Sequence, residues 1–347
     1  MKRTAKFSVL TATALVALAS PVLAEGTISV MSFGGAYQEA QRKAVFEPYA
    51  AEKGVTVEEQ EYGGEIAKIA AMIESGNTTV DVVDVDAPTL LQGCDEGIFE
   101  KIDWTQIGDQ ADWLEGTASD CGVGTIVYST ALAYNGATLA DGPTAIADLF
   151  DTTRFPGKRG LWKNPATNLE FALLADGVPA DQVYETLSTP EGVDRAFAKL
   201  DTIKDSIVWW EAGAQAPQLL ASGEVVMTTA WNGRIYNANK EGQDFRIVWD
   251  NQILDSNFWV IPKGAKNIEA SMDFIKYAVD PKTLAATTKY IPYGPVRASA
   301  AQFVSPEDAA NLPTSPANLT VALTLDNAFW ADNGDDIRKR FTTWLAQ

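Results

Sequence analysis

Apolar positions change their period along the chain, and each change predicts an element. Residues 27–31 (TISVM) are a β-branched apolar run and predict a strand. It ends in Ser32-Phe33-Gly34-Gly35-Ala36-Tyr37, whose glycines open a turn before an amphipathic helix over 38–53. A strand over 55–61, a helix over 64–76 and a strand over 80–85 follow, the last closed by Asp86-Ala87-Pro88. Strand and helix in strict alternation imply a parallel sheet. Residues 126–134 predict a long strand leading out of this unit, and Asn135-Gly136 a turn.

A second α/β unit begins beyond that turn. It has a short segment at 145–150, a strand at 161–162, helices over 168–176 and 193–204, a strand over 207–210 and a helix over 217–222. The strand predicted at 225–229 runs into Ala230-Trp231-Asn232-Gly233-Arg234, and a short helix follows over 235–240. Two further strands are expected at 246–249 and 257–261, then helices over 268–279, 281–288 and 335–345. A strand that ends on Trp-Asn-Gly-Arg puts those side chains where α/β sheets hold ligands, outside the carboxyl ends of their strands. The competing reading is a turn carrying a core tryptophan.

The first 24 residues carry Lys2, Arg3 and Lys6, then an apolar core, then Val22-Leu23-Ala24. That is the pattern of a secretory signal, cleaved after about Ala24 for export to the periplasm. No cysteine follows the cut, so no lipid anchor is indicated, and no other run is long and apolar enough to span a bilayer. What remains is too long for one ordinary core and implies two domains. The formal charge is −19, and taking away the signal's three cations leaves −22. Such a balance argues against nucleic acid or an anionic membrane as partner. It suits a cationic ligand, and equally a general need for solubility. Cys94 and Cys121 are the two cysteines, and an even pair in an exported chain reads as a disulfide.

The order of SFGGAY, VDVVDVDAP, ADLFDTTRFPGKRGL, EVVMTTAWNGR, FWVIPKGAKN and YIPYGP resembles that of periplasmic solute-binding proteins of ABC importers. The branch is the spermidine/putrescine type, which includes binders of γ-aminobutyrate and similar ω-amino acids. The resemblance implies a type II periplasmic-binding-protein fold, two α/β lobes joined by crossing strands with a ligand cleft between them. Lobe 1 is expected at 25–135 and 260–303, and lobe 2 at 136–259 and 304–347. A small cationic or zwitterionic solute, a permease in the inner membrane and a monomeric state are implied partners and assembly.

An amine ligand needs carboxylates for its charge and aromatic faces for its methylenes, and an added carboxylate needs a guanidinium. Trp231 matches the tryptophan of the family's WNG motif, a ligand-stacking wall. Arg234 stands where many polyamine binders carry a small residue, and WNGR is similar to the γ-aminobutyrate-type variant; the alternative is an interlobe salt bridge. The family's later-strand acid falls at Asn257, while Asp255, two residues earlier on the same face, either replaces it or is a solvated strand end. In the first lobe the expected ligand residues are Ser32, Phe33 and Tyr37 at the turn, with Asp86, which could equally be a helix cap. Tyr128 and Ser129 on the crossing strand, Asn168 and Glu170 at a helix start, and Tyr293 in IPYGP complete the set. Trp209, Trp210 and Glu211 sit at another strand end, where one tryptophan is expected in the core.

An enzyme is the other class to weigh. The chain has no histidine, which removes Ser-His-Asp and Cys-His arrangements. It lacks a GxSxG elbow, paired-cysteine zinc spacing, an EF-hand loop and a P-loop. Only a carboxylate-pair hydrolase survives counting, with 46 acids to choose from, and no pair stands out. The expectation is a binding protein with no cofactor and no metal.

Overall fold

The computed structural model describes residues 26–319 and 321–347; the expected signal at 1–24 lies outside the described residues. Ten strands form one continuous sheet, ordered β2-β1-β3-β8-β4-β7-β5-β6 with two short strands at its side. They are β1 (Thr27–Ser32), β2 (Thr56–Glu61), β3 (Val82–Asp86), β4 (Val123–Asn135), β5 (Arg159–Trp162), β6 (Ile207–Trp210), β7 (Met227–Trp231), β8 (Phe245–Val260), β9 (Gly294–Pro295) and β10 (Ala322–Thr324). β1 pairs in parallel with β2 and with β3, as the alternating order requires. At the other end β5 lies parallel to β6 and β7.

The middle of the sheet is made of two long strands that serve both lobes. β4 and β8 run antiparallel from Val123↔Trp259 to Asn135↔Phe245, with a register shift between Thr130 and Leu132. β3 joins β8 at one end, with Asp86 opposite Asn257. β7 joins β4 at the other, with Trp231 opposite Thr130. The two strands expected at 246–249 and 257–261 are therefore one strand. The polar stretch Asp250-Asn251-Gln252 hides its continuity. Asp250 accepts from the Ile146 backbone N–H at 3.0 Å, and Gln252 donates to the Pro313 and Asn318 carbonyls at 3.0 and 2.7 Å. Asn251 turns the chain at φ 52°.

Each half of the sheet carries its own core. One gathers Ile28, Val30, Phe46, Val123, Trp259, Phe274, Ile275 and Val296. The other gathers Leu132, Tyr134, Leu161, Phe171, Phe197, Val248, Trp330, Phe341 and Trp344. Leu132 and Tyr134 pack in the second core and Trp259 in the first. β4 carries an irregularity at Thr130–Leu132, and β8 the Asn251 turn.

Helix limits differ from expectation where caps intervene. The helix expected at 335 begins at Asn327, because Asp326 caps it by accepting the Phe329 N–H at 2.9 Å. A helix over Ala87–Asp95 starts directly on Asp86, whose side chain accepts the Thr89 N–H at 3.0 Å. The helix expected over 38–53 runs from Gly35 with one π-helical turn at Arg42–Phe46. Cys94, on the Ala87–Asp95 helix, is disulfide-bonded to Cys121 with 6.0 Å between Cα atoms. The bridge closes a loop beside β4, and the chain-entropy contribution of such a loop is about 3.5 kcal/mol.

Candidate functional site

Between the two cores lies a cavity of about 110 Å3 lined by Phe33, Tyr37, Gly63, Asp86, Ile126, Tyr128, Trp162, Glu211, Trp231, Arg234, Asn257 and Tyr293. At about 10–15 Å3 for each water-sized group, it has room for on the order of eight such groups, a small solute. It opens into a wider cleft that shares Asp86, Tyr128, Trp162 and Trp231 and adds Thr130, Asn164, Thr167, Asp255, Trp330 and Arg338.

Trp231 ends β7, as an apolar strand entering a helix at Asn232–Lys240 dictates. Three rings hold it edge-on: Trp210 at 5.5 Å, Trp162 at 5.8 Å and Tyr128 at 6.3 Å between centroids. A Cβ on Gly213 would sit 2.3 Å from the indole, so only glycine leaves the ring its place. Tyr293 continues the wall, 5.8 Å from Tyr128 and 5.5 Å from Tyr37. The result is a broad aromatic surface suited to methylenes and to a cation.

Arg234 comes three residues later, in the first turn of the helix. It is 7% exposed, and its Nη2 donates to the Gly34 carbonyl at 3.4 Å. Its Nε is buried without a partner, and among the described residues it forms no salt bridge. The Gly34-Gly35 turn, at φ 64° and 54°, brings bare backbone against it, and a Cβ on Gly35 would be 2.9 Å from Nη1. A guanidinium removed from water without a carboxylate is costly. Its fixed fork of donors matches a ligand carboxylate.

Carboxylates also line the site. Asp86 is half-buried and held above its usual carboxylate range by burial. Asp255, in the adjoining cleft, accepts from the Tyr128 hydroxyl at 3.0 Å and from the Ser256 N–H at 2.8 Å. Burial, then the nearby negative charge of Asp86, push it up to about 7. Neither acid has a basic side chain in ion-pair contact among the described residues. Glu211 is exposed at the rim and pairs with Lys163 at 2.7 Å.

Of the residues expected from sequence, Phe33, Tyr37, Asp86, Tyr128, Trp231, Arg234, Asn257 and Tyr293 meet at the cavity, and Asp255 at its wider continuation. Four are placed elsewhere. Ser32 is fully buried and donates to Gln41 Oε1 at 2.7 Å. Ser129 offers its backbone N–H to Asn232 at 3.0 Å. Asn168 spends its amide on the Trp162 and Asn164 carbonyls at 2.6 and 2.7 Å. Glu170 accepts from Trp330 Nε1 at 2.7 Å and Tyr184 at 3.2 Å inside the second core. Trp162, Gly63 and Ile126 are additions the pattern did not single out; Trp162 ends a strand, as Trp231 does, and that position was its signal. Trp209 and Trp210 stay in the packing, the latter with no exposure. Among the described residues no group of three or more cysteines, aspartates or glutamates could hold a metal ion.

A family model for bacterial extracellular solute-binding proteins matches residues 44–317. The γ-aminobutyric acid-binding protein of Pseudomonas aeruginosa is 47% identical over 321 residues, covering 92% of this chain and 91% of that one. An ABC transporter substrate-binding protein from Bradyrhizobium japonicum superposes with a TM-score of 0.86 at 38% identity, over 92% of this chain and all of its own. A solved GABA receptor does so at 0.82 and 36% identity, over 92% and 98%. These are binding proteins and not enzymes, and the two-lobed fold, the interlobe cavity and the family match agree. The chain belongs to the bacterial extracellular solute-binding protein family.

Proposed function

We propose that this protein captures a small ω-amino acid of the γ-aminobutyrate type in the periplasm and delivers it to an ABC permease in the inner membrane. The observation that carries the ligand class is Arg234, a buried guanidinium at the cavity with no carboxylate of its own. In this reading Arg234 grips the ligand carboxylate, Trp231, Tyr128 and Tyr293 enclose the methylenes, and Asp86 with Asp255 faces the ammonium. Phe33, Tyr37 and Asn257 supply the first-lobe floor. The γ-aminobutyric acid-binding relative and the GABA receptor support it through their own ligands. The expected cleavage after about Ala24 gives the exported form, which acts as a monomer, and the closed lobes present the permease with a surface the open lobes lack. A bare diamine such as putrescine is the second reading, favoured by the two acids, but it leaves Arg234 uncompensated.

A thermal-shift series on the mature protein tests this, because a ligand that binds only the folded state raises the melting temperature by mass action. γ-Aminobutyrate and its five-carbon homologue should raise it in a dose-dependent way. A shift with putrescine or spermidine alone would replace this reading with the polyamine one.

A further inference from the structure

The cavity floor contains a device that the ligand reading does not by itself require. Asp84 lies on β3 directly behind the floor, with no exposed surface. Its Oδ2 accepts from the Tyr37 hydroxyl at 2.6 Å and from Gln41 Nε2 at 2.5 Å, with Ser32 Oγ 3.5 Å away. Its Oδ1 accepts from Asn257 Nδ2 at 2.8 Å. Among the described residues it forms no salt bridge. Two of its donors, Tyr37 and Asn257, are themselves lining residues of the cavity.

Burial pushes Asp84 up to about 7, and in its ionised form, above that pH, its carboxylate can only accept. Facing Asp84, the amide of Asn257 therefore turns its nitrogen backwards, and Tyr37 spends its single proton behind the floor. Both side chains line the cavity, and the protons they give to Asp84 are not available to a ligand. Tyr128 repeats the arrangement, donating its hydroxyl proton to Asp255 at 3.0 Å. Three lining groups that could have been donors are thus committed to carboxylates, two of them to Asp84 behind the floor and one to Asp255 in the adjoining cleft.

We infer that Asp84 is a specificity-determining residue: by consuming the donors of Tyr37 and Asn257 it makes the floor of the site a set of hydrogen-bond acceptors, selecting an ammonium over a carboxylate or hydroxyl acceptor at that end of the ligand. The departure at Asn257 then has a physical account. The charge expected on that strand lies one layer deeper, on the neighbouring strand, and acts on the ligand through neutral oxygens. A neutral oxygen costs less to desolvate than an ionised one when the lobes shut, and the buried charge behind it still attracts a cation across a medium of low dielectric.

This inference rests on the ω-amino acid reading, and its test separates the two. The mature wild type and Asp84→Asn are titrated calorimetrically with γ-aminobutyrate and with succinate, which keeps the chain length and replaces the ammonium by a second carboxylate. Asparagine can donate, so it frees Tyr37 and Asn257 to present donors. The ratio of γ-aminobutyrate to succinate affinity should fall at least tenfold. A purely structural role for Asp84 weakens both ligands together and leaves the ratio unchanged, which would overturn the inference while leaving the function standing. Wild type that binds no ω-amino acid would overturn both. Should Asp84→Asn fail to fold, Tyr37→Phe and Asn257→Leu each remove one of these oxygens. Each should lower the same ratio, and an unchanged ratio in both refutes the inference.

Discussion

Replacing Arg234 by methionine keeps a side chain of similar length and removes the guanidinium, whose Cζ lies 5.9 Å from the centre of the Trp231 ring. In the empty protein that charge is buried at 7% exposure, with one 3.4 Å hydrogen bond and an unpartnered Nε. Removing it relieves desolvation and loses little, so the unliganded variant should melt at the wild-type temperature or above. In the proposed complex the same group, the one cation lining the cavity among the described residues, would face the ligand carboxylate. Losing one partner of a buried, hydrogen-bonded charge pair costs about 2 to 5 kcal/mol. That is a loss of affinity of roughly 30-fold to several thousandfold. The assay is paired scanning fluorimetry without ligand and calorimetry with γ-aminobutyrate. An affinity within threefold of wild type would refute the carboxylate-clamp argument. A fall of several degrees in the unliganded melting temperature would show instead that Arg234 holds the lobes together through Gly34.

Three more outcomes follow from the same geometry. Burial pushes Glu170 up to about 7 from a usual value near 4.5, so between those values the folded state holds a proton that the unfolded state releases. Stability from this group is therefore lost as pH rises from about 4.5 to 7, and the melting temperature of Glu170→Gln should gain on wild type between pH 5 and pH 8; a constant difference contradicts this. Replacing Cys94 and Cys121 together by alanine should remove about 3.5 kcal/mol, read as a lower midpoint in denaturant with the fold retained. Gly35→Ala and Gly54→Ala both place alanine at positive φ, 54° and 67°, but only the first meets Arg234. Both should lose about 1 kcal/mol of stability, and only Gly35→Ala should also weaken the ligand, as calorimetry would register.

The chain's periodicity carried the fold further than the site. β1 and β3 stand close to where β-branched runs begin and end, because burial on both faces leaves little choice of residue. β8 was not legible as one strand, since Asp250 and Gln252 satisfy neighbouring backbone from within it. At the site, Trp231 and Arg234 line the cavity, where a ring and a charge at a strand's carboxyl end were expected beside the alternatives of a core tryptophan and an interlobe salt bridge. Asn168 and Glu170 show the limit. A polar residue at a helix start reads the same whether it meets ligand or, as here, the Trp162 carbonyl and Trp330 Nε1. Asp84 was invisible for the opposite reason, since inside VDVVDV an alternating acid looks like the solvent face of a strand.

The central claim is an aromatic cavity that holds a carboxylate at Arg234 and an ammonium at Asp86 and Asp255. Isothermal titration of the mature wild-type protein with γ-aminobutyrate, and separately with putrescine, tests it most directly. The two ligands share a four-carbon chain and an amine and differ in a single terminal group, carboxylate against second amine. The account predicts saturable one-to-one binding of γ-aminobutyrate and binding of putrescine at least a hundredfold weaker. Equal or tighter binding of putrescine would contradict it.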